Sequence, residues 1–319
     1  MQQGPLVSII ILNYNGKHIL GVCLDSVIKQ SYGSLEIIVV DNGSNDGSAE
    51  FVRAKYPGVK VLENNVNLGY VKAANMGIVL SRGEFLVVLN NDTRVDRDWI
   101  AHLVIAAQKD ASIGICASKQ LNFNDTNILD SAGILLCRGG YARDRGRHQE
   151  DRGQYDKVQE IFGAAGASAF YRRAMLDRIG LFDDDYFAYC EEFDLSFRAL
   201  LAGWKCVFVP EARVYHMSGQ TRAARDQGFL VYYVERNRLF TLVKNFPLGL
   251  LVLHLPYLLK YELDIFLRIL RRLEKEAVLA RLDALRLLPK MLKKRALIQR
   301  NRKVPLGRVR AHIDMERGS

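Results

Sequence analysis

Carboxylates and amides that follow apolar runs are the residues best placed to do chemistry in this chain. Asp41 closes the run Leu35–Val40. A carboxylate there can accept from the N–H of a pyrimidine or from a ribose hydroxyl. It can equally serve as a cap or turn residue, because Asn42-Gly43-Ser44-Asn45-Asp46-Gly47 is strong turn chemistry. Asn90-Asn91-Asp92 ends a second run, where Asp92 could hold a hard divalent cation against phosphate oxygens or cap the helical run that follows. Tyr189-Cys190-Glu191-Glu192-Phe193-Asp194 crowds three carboxylates into four positions. Mutual repulsion there can raise one pKa to that of a general base, although a helix start also favours acidic side chains through its dipole. His216 is a structural histidine or a metal ligand. Two other chemistries are excluded. No Gly-x-Gly occurs, so a dinucleotide loop cannot be built, and Gly16-Lys17 has Ile11 where a P-loop needs its first glycine.

The surrounding periodicity gives these residues a common position. Leu6–Leu12, Leu35–Val40, Val59–Leu62 and Phe85–Leu89 read as strands buried on both faces, with helices near Lys17–Lys29, Gly47–Ala54 and Val71–Leu80 between them. That alternation predicts an α/β, Rossmann-like, mostly parallel sheet flanked by helices, with ligands bound beyond the carboxyl ends of the strands. From Cys116 to Gln159 the periodicity fades. Arg138–Arg152 is polar and glycine-rich, read as a surface loop in preference to a mobile lid over an acceptor. Helices are expected near Arg172–Ile179, Glu191–Leu201 and Gln227–Lys244, and a strand at Val207-Phe208-Val209 stopped by Pro210.

The 319 residues are 49% hydrophobic and 25% charged, ordinary values for a globular chain long enough to bury its own core. Their net charge of +10 is unevenly spread. Residues 1–243 carry 27 Lys and Arg against 28 Asp and Glu, whereas residues 244–319 carry 18 against 7. In the tail, Phe246–Leu259 is apolar but short for a span and broken by Pro247, His254 and Pro256. Beyond it Ile265, Phe266, Ile269, Leu270 and Leu273 share a helical face near Arg268, Arg271 and Arg272, and Lys290, Lys293, Lys294 and Arg295 follow. A basic amphipathic helix of this kind suits an anionic membrane interface; the other reading is packing on the body or on a second protomer as a homodimer. Nucleic acid is not indicated, because Leu and Ile rather than stacking aromatics separate the basic residues. Five scattered cysteines without C-x-x-C spacing, and no basic segment ahead of a short N-terminal apolar run, point to a reducing cytoplasm.

In order along the chain, VSIIILNYN, EIIVVDNGSNDGS, NVNLGYVKAANMG, FLVVLNNDT, GAAGASAFYRR, GLFDDDYFAYCEEFDLSFRALLAGW and VFVPEARVYH resemble the family 2 glycosyltransferases of the GT-A fold, and most of all their bacterial rhamnosyltransferase-like branch. The resemblance runs from about Val7 to Thr221 and lacks the Q-x-x-R-W of processive synthases, since Gln220-Thr221-Arg222-Ala223 does not match it. It implies a catalytic domain over 1–243, with a nucleotide-binding part to about 118 and an acceptor-side part beyond, followed by the helical tail 244–319. Carried over residue by residue, it places Asn13, Asp41, Asn67, Lys72, Asn75, Asn90 and Asn91 at the donor. Asp92 would bind Mg²⁺ or Mn²⁺ with His216, and Glu192 would be the base, with Glu191 and Asp194 shaping the acceptor site and Arg198 paired with one of them. This chain has Asn90 and Asn91 where many members have Asp, and Glu192 where many have Asp.

The expected activity is inverting, metal-dependent transfer of rhamnose or a similar hexose. The donor would be a nucleoside diphosphate sugar, dTDP- or UDP-linked. The acceptor would be a lipid-linked or polysaccharide glycan, reached by a protein peripheral on the inner face of the cell membrane. Its rivals are a non-catalytic nucleotide-sugar-binding protein of the same fold and a sugar-phosphate nucleotidyltransferase. Release of nucleoside diphosphate without pyrophosphate separates the first reading from both.

Overall fold

A computed structural model describes residues 4–217 and 227–313. Its first half follows the expected alternation: β1 (Val7–Asn13), α1 (Lys17–Ile28), β2 (Leu35–Asp41), α2 (Ser48–Lys55), β3 (Lys60–Glu63), α3 (Tyr70–Leu80) and β4 (Phe85–Asn90). All four strands are parallel and lie in the order β3-β2-β1-β4. The chain winds outward from β1 to β3, then crosses back to β4 on the other side of β1. That reversal opens a crevice at the carboxyl ends of β1 and β4. Alternation along each strand supplies two cores. Ile10, Leu12, Val40 and Val88 pack on one face with α3, and Ile9, Ile11, Val39 and Val87 pack on the other with α1.

The sheet continues through β5 (Thr93–Val95), α4 (Trp99–Gln108), β6 (Ile113–Asn122) and β7 (Leu129–Ser131). A separate hairpin of β8 (Ile134–Leu136) and β9 (Ala142–Asp144) precedes β10 (Gln159–Ile161), β11 (Ser168–Arg172), α5 (Arg173–Ile179), α6 (Glu191–Leu201) and β12 (Lys205–His216). The full order is β10-β12-β6-β11-β4-β1-β2-β3, with β11 antiparallel to both of its neighbours.

Three expectations change here. The fading periodicity after Cys116 conceals β6, a central strand buried along nearly its whole length. Its polar residues break the apolar pattern because each finds a partner inside. Ser118 Oγ accepts from Trp99 Nε1 at 2.8 Å, Lys119 pairs with Asp151 at 2.7 Å, and Gln120 donates to Ser168 Oγ at 2.9 Å. Second, Pro210 does not stop the strand at Val209. β12 runs to His216 and takes up the proline, which has no N–H to give, in a register shift between Val209 and Arg213. Third, Arg138–Arg152 is folded structure. It contains β9, and Arg145 is buried with its guanidinium over the rings of Tyr155 and Phe208.

The C-terminal helices are α7 (Gln227–Asn245), α8 (Leu248–Leu253), α9 (Leu255–Arg272), α10 (Lys275–Arg286), α11 (Leu288–Arg300) and α12 (Leu306–Ile313). The division expected at 243/244 therefore falls within α7. Lys244, almost wholly buried, bridges Asp183 and Asp194, with 2.7 Å to the latter. Lys290 and Lys294 reach Asp183 and Asp185, and Arg295 donates to the Val243 and Phe246 carbonyls at 2.7 Å. These basic residues of the tail are thus spent on packing against the body. The apolar face expected around Ile265 divides: Ile265 is buried, while Phe266, Leu270 and Leu273 are exposed.

Lys244→Met would leave Asp183 and Asp194 buried without their shared cation, a loss of about 3–5 kcal/mol. Lys294→Ala, at a more exposed pair, should cost no more than about 1 kcal/mol. Urea denaturation of the two variants measures the contrast.

Candidate functional site

The carboxyl ends of β1 and β2 are held in register, Asn13 against Asp41, so the two side chains meet without further instruction. Asn13 Nδ2 donates to Asp41 Oδ2 at 2.9 Å, and Asp41 Oδ1 accepts from the Ser44 N–H at 2.9 Å. The turn reading of Asp41 is thus met by one oxygen, which caps the turn, while the other accepts from Asn13. Asn91 Nδ2 donates to Asn13 Oδ1 at 2.7 Å. This contact needs glycine at position 16, where a Cβ would lie 2.1 Å from Asn91 Nδ2. Asn67 belongs to a second amide network: its Oδ1 accepts from Asn42 Nδ2 at 3.0 Å and from the Gly69 N–H at 2.9 Å.

Asp92 is buried at the end of β4. The pairing of β5 with β12 brings His216 to Thr93, and His216 Nε2 lies 3.3 Å from Asp92 Oδ1. His216 Nδ1 lies 2.7 Å from Asp130 Oδ2. Burial alone would lower the imidazole pKa, but hydrogen bonds to Asp130 and Asp92 outweigh it and raise the value to about 9. Two carboxylates that favour an imidazolium would equally favour a divalent cation, so this oxygen and nitrogen donor set fits one. Among the described residues no group of three or more His, Cys, Asp or Glu side chains could enclose a metal. A cation held by Asp92 and His216 would therefore share its remaining positions with ligand oxygens.

Across the crevice, Glu191 and Glu192 begin α6. Glu191 is buried and Glu192 half-buried, the carboxylate of the latter facing Gly166. Burial, with a smaller contribution from Asp144, raises Glu192 to about 7. The expected cause, crowding among the three acids, is not the main one. Asp194 moves the opposite way, because Lys244 and Arg198 overcome the effect of burial and hold its carboxyl well below the usual range. Its oxygens are engaged beneath the helix by Arg198 Nε and Asn245 Nδ2, both at 2.8 Å, and by Lys244. Asp194 thus sits apart from Glu191 and Glu192, fastening α6 to α7, and Arg198 is paired as expected. Asn75 is also elsewhere: its amide donates to the Phe182 carbonyl and Asp184, at 2.9 and 2.8 Å, and accepts from the Phe182 N–H. Lys72 is exposed on α3, and Asn90 is bound into the strand end through its backbone, which donates to the Ala167 carbonyl.

Four residues of this neighbourhood carried no signal in the sequence. Tyr70 donates to the Gly166 carbonyl at 3.0 Å, and burial together with the charges of Glu191, Glu192 and Asp92 pushes its pKa well up. Asp130 and Asp144 come from the stretch without periodicity. Asn237, wholly buried on α7, shares its amide between the carbonyls of Tyr186, Ala188 and Tyr189 at 2.8–2.9 Å. Those bonds hold a left-handed turn at Phe187, Tyr189 and Cys190, with φ of 61°, 68° and 64°, from which Glu191 emerges. Non-glycine residues adopt that conformation at a cost, so the turn needs the clamp. Arg236 adds a bond to the Asp185 carbonyl at 2.8 Å.

The glycosyl transferase family 2 model matches residues 8–180, more than half of the chain. The chain belongs to that family. It is 28% identical over 205 residues to the N-acetylglucosaminyl-diphospho-decaprenol L-rhamnosyltransferase of Mycobacterium tuberculosis, covering 57% of this chain and 66% of the relative. It spans only 26% of an uncharacterized Sinorhizobium fredii protein to which it is 28% identical over 238 residues. Among solved structures, GalNAc-T7 with UDP, GalNAc and Mn²⁺ superposes with a TM-score of 0.62 at 22% identity, over 76% of this chain and 48% of that one. The mannosyltransferase PcManGT of Pyrobaculum calidifontis, with GDP-Man and Mn²⁺, gives 0.57 at 17% identity over 98% and 88%. The fold of this family 2 member is therefore GT-A, followed by C-terminal helices.

Asn237→Ala removes the clamp and leaves buried carbonyls unsatisfied, an expected loss of about 3 kcal/mol. Asn237→Asp should do no better, since a carboxylate cannot donate to carbonyls. Thermal denaturation of both checks this.

Proposed function

We propose that the chain is an inverting glycosyltransferase moving rhamnose or a similar hexose from a nucleoside diphosphate sugar, with dTDP or UDP the favoured carrier, to a lipid-linked or polysaccharide acceptor. One observation carries the reading. A carboxyl poised near neutrality and an Asp–His pair suited to a cation lie within reach of the same tyrosine. Asn13 and Asp41 would hold base and ribose beyond β1 and β2. Mg²⁺ or Mn²⁺, held by Asp92 and His216, would neutralise the departing diphosphate. Glu192 takes the acceptor hydroxyl's proton as its oxygen attacks the anomeric carbon. The carbon–diphosphate bond breaks with its electron pair leaving on the diphosphate, and attack from the opposite face inverts the centre. The M. tuberculosis relative's name specifies a diphosphate-linked lipid acceptor, which supports that class of acceptor here.

The protonated Glu192 carboxyl cannot accept a proton, so kcat should rise as pH increases through about 7 and level off above it. Glu192→Gln should keep donor affinity and lose a factor of about 10²–10⁴ in kcat. Assaying nucleoside diphosphate and pyrophosphate release from a panel of donors against pH tests both points. An active Glu192→Gln enzyme would move the base elsewhere, and pyrophosphate release would favour a nucleotidyltransferase.

The same reading places the protein peripherally on the inner, cytoplasmic face of the cell membrane. No helix among the described residues is long and apolar enough to cross a bilayer. Yet α9 turns two of its charges inward, Glu262 pairing with Arg238 and Arg281 and Arg268 with Glu235, while Lys260, Asp264, Arg271 and Arg272 stay exposed. Its exposed face carries Leu259, Leu263, Phe266 and Leu270 beside exposed Lys260, Arg271 and Arg272. An apolar face outward among cations is the arrangement of an interfacial helix, each cation being worth about 1 kcal/mol near an anionic surface. The Leu263→Asp/Phe266→Asp/Leu270→Asp variant should fold normally yet fail to float with anionic vesicles at low salt, where the unaltered protein floats.

A further inference from the structure

The loop that leads toward α6 passes three consecutive aspartates, Asp183, Asp184 and Asp185. Each is taken by a different element. Asp183 pairs with Lys244 of α7, and Asp184 accepts from Asn75 of α3 at 2.8 Å. Asp185 belongs to α11. Lys290 Nζ donates to its Oδ1 at 2.5 Å and Lys294 Nζ to its Oδ2 at 2.6 Å, so each carboxylate oxygen has an ammonium group of its own. Lys294 also reaches Asp183. The two lysines stand four residues apart, about one helical turn, which sets both on one face of α11. Burial would push the Asp185 carboxyl up, but hydrogen bonds from Lys290 and Lys294 outweigh it and hold the group below its usual range.

α11 is docked without these lysines. Met291 is buried, Arg295 donates to the Val243 and Phe246 carbonyls at 2.7 Å, and Gln299 donates to the Asn245 carbonyl at 2.9 Å. The pairs with Asp185 therefore act on the loop more than on the helix that bears them.

What the loop leads into is the strained turn. The Asp185 carbonyl accepts from Arg236 at 2.8 Å. Tyr186, the next residue, donates to Asp194 of α6 at 3.4 Å, and its hydroxyl lies 2.8 Å from that of Thr241. Phe187, Tyr189 and Cys190 then take left-handed angles before Glu191 and Glu192 open α6. Such angles persist only where surrounding contacts over-determine them. Asn237 grips the Tyr186, Ala188 and Tyr189 carbonyls, and α11 grips the entry at Asp185. The direction in which α6 leaves the turn depends on both grips.

Resting on the base proposed above, we infer that Lys290 and Lys294 are positioning residues for Glu192: by bracketing Asp185 they fix the entry to the turn and hold the Glu192 carboxyl where the acceptor hydroxyl arrives. Neither lysine touches a substrate. The tail thereby takes part in turnover as well as in attachment.

Steady-state kinetics of Lys290→Met/Lys294→Met test this, with dTDP-rhamnose as donor, the heptyl ester of N-acetylglucosaminyl diphosphate as acceptor, and released dTDP as the signal. kcat should fall about tenfold, since small misplacements of a reacting group are costly. The KM for the donor and the melting temperature should stay close to those of the parent. Lys290→Arg/Lys294→Arg should recover most of the rate, because a guanidinium can pair with the same carboxylate. Asp185→Asn should lose as much as the methionine pair, and the triple variant no more than either. Amide hydrogen exchange in the methionine variant should quicken over residues 183–195 and stay parental in β1 and β4. Parental kcat in that variant overturns the inference. So does a loss that arginine leaves unrestored, or one that adds to the loss from Asp185→Asn, because either marks a general weakening of the fold. A parent protein that releases no dTDP from these substrates is a failure of the transferase reading instead. Exchange then decides the clamp alone, and unchanged rates over residues 183–195 overturn it.

Discussion

The buried polar face of α7 is the constraint on which the half of the molecule around α6 depends. Asn237 and Arg236 hold the carbonyls of a turn whose left-handed residues would not stay folded alone, and Lys244 joins the two carboxylates beneath it. The same turn fixes the start of α6, and with it Glu191 and Glu192. It also reaches the donor half. The Phe187 carbonyl accepts from the Val71 N–H at 3.0 Å, and the Phe187 ring occupies the space that a Cβ at Gly69 would need, 2.6 Å away. The start of α3 and the start of α6 are therefore set by contacts to a single strained segment.

Burial favours the protonated form of both Glu192 and Asp194 on α6, and nearby cations reverse the outcome at Asp194 alone. Glu192 is partly withdrawn from water and feels Asp144, so it keeps its proton to about 7. Asp194, two residues on, meets Lys244 and Arg198 and stays ionised. Helical geometry explains the split, since residues two apart point to different sides of the cylinder, one toward the crevice and one toward α7. A carboxyl poised near neutrality and an ionised structural anchor thus arise two residues apart through environment alone.

The C-terminal helices unite two uses that look like alternatives in the sequence. Lys244, Lys294 and Arg295 serve packing against the body. On α9, the ion pairs with Arg238 and Arg281 make it favourable to turn charge inward and leave Leu263, Phe266 and Leu270 outside. Net positive charge in the tail is therefore an unreliable guide to which residues could meet a membrane. The orientation of each stripe decides it.

The sequence by itself determined the parallel β/α half. Continuous apolar runs separated by helical periods permit only a parallel sheet there, and strand ends then bring Asn13, Asp41 and Asp92 to one edge, because parallel strands share a direction. It determined α6 and its acids as well, through their position at a helix start. Tertiary structure alone decided what each acid does, because a pKa depends on which cations lie within a few ångströms across the fold. It decided β6 too, whose Lys119 and Gln120 look solvated until Asp151 and Ser168 are seen to meet them. Asn237, Tyr70, Asp130 and the pairing of Lys290 and Lys294 with Asp185 were out of reach for the same reason. Their partners lie far along the chain, and a polar side chain satisfied by a distant carbonyl leaves no periodic trace.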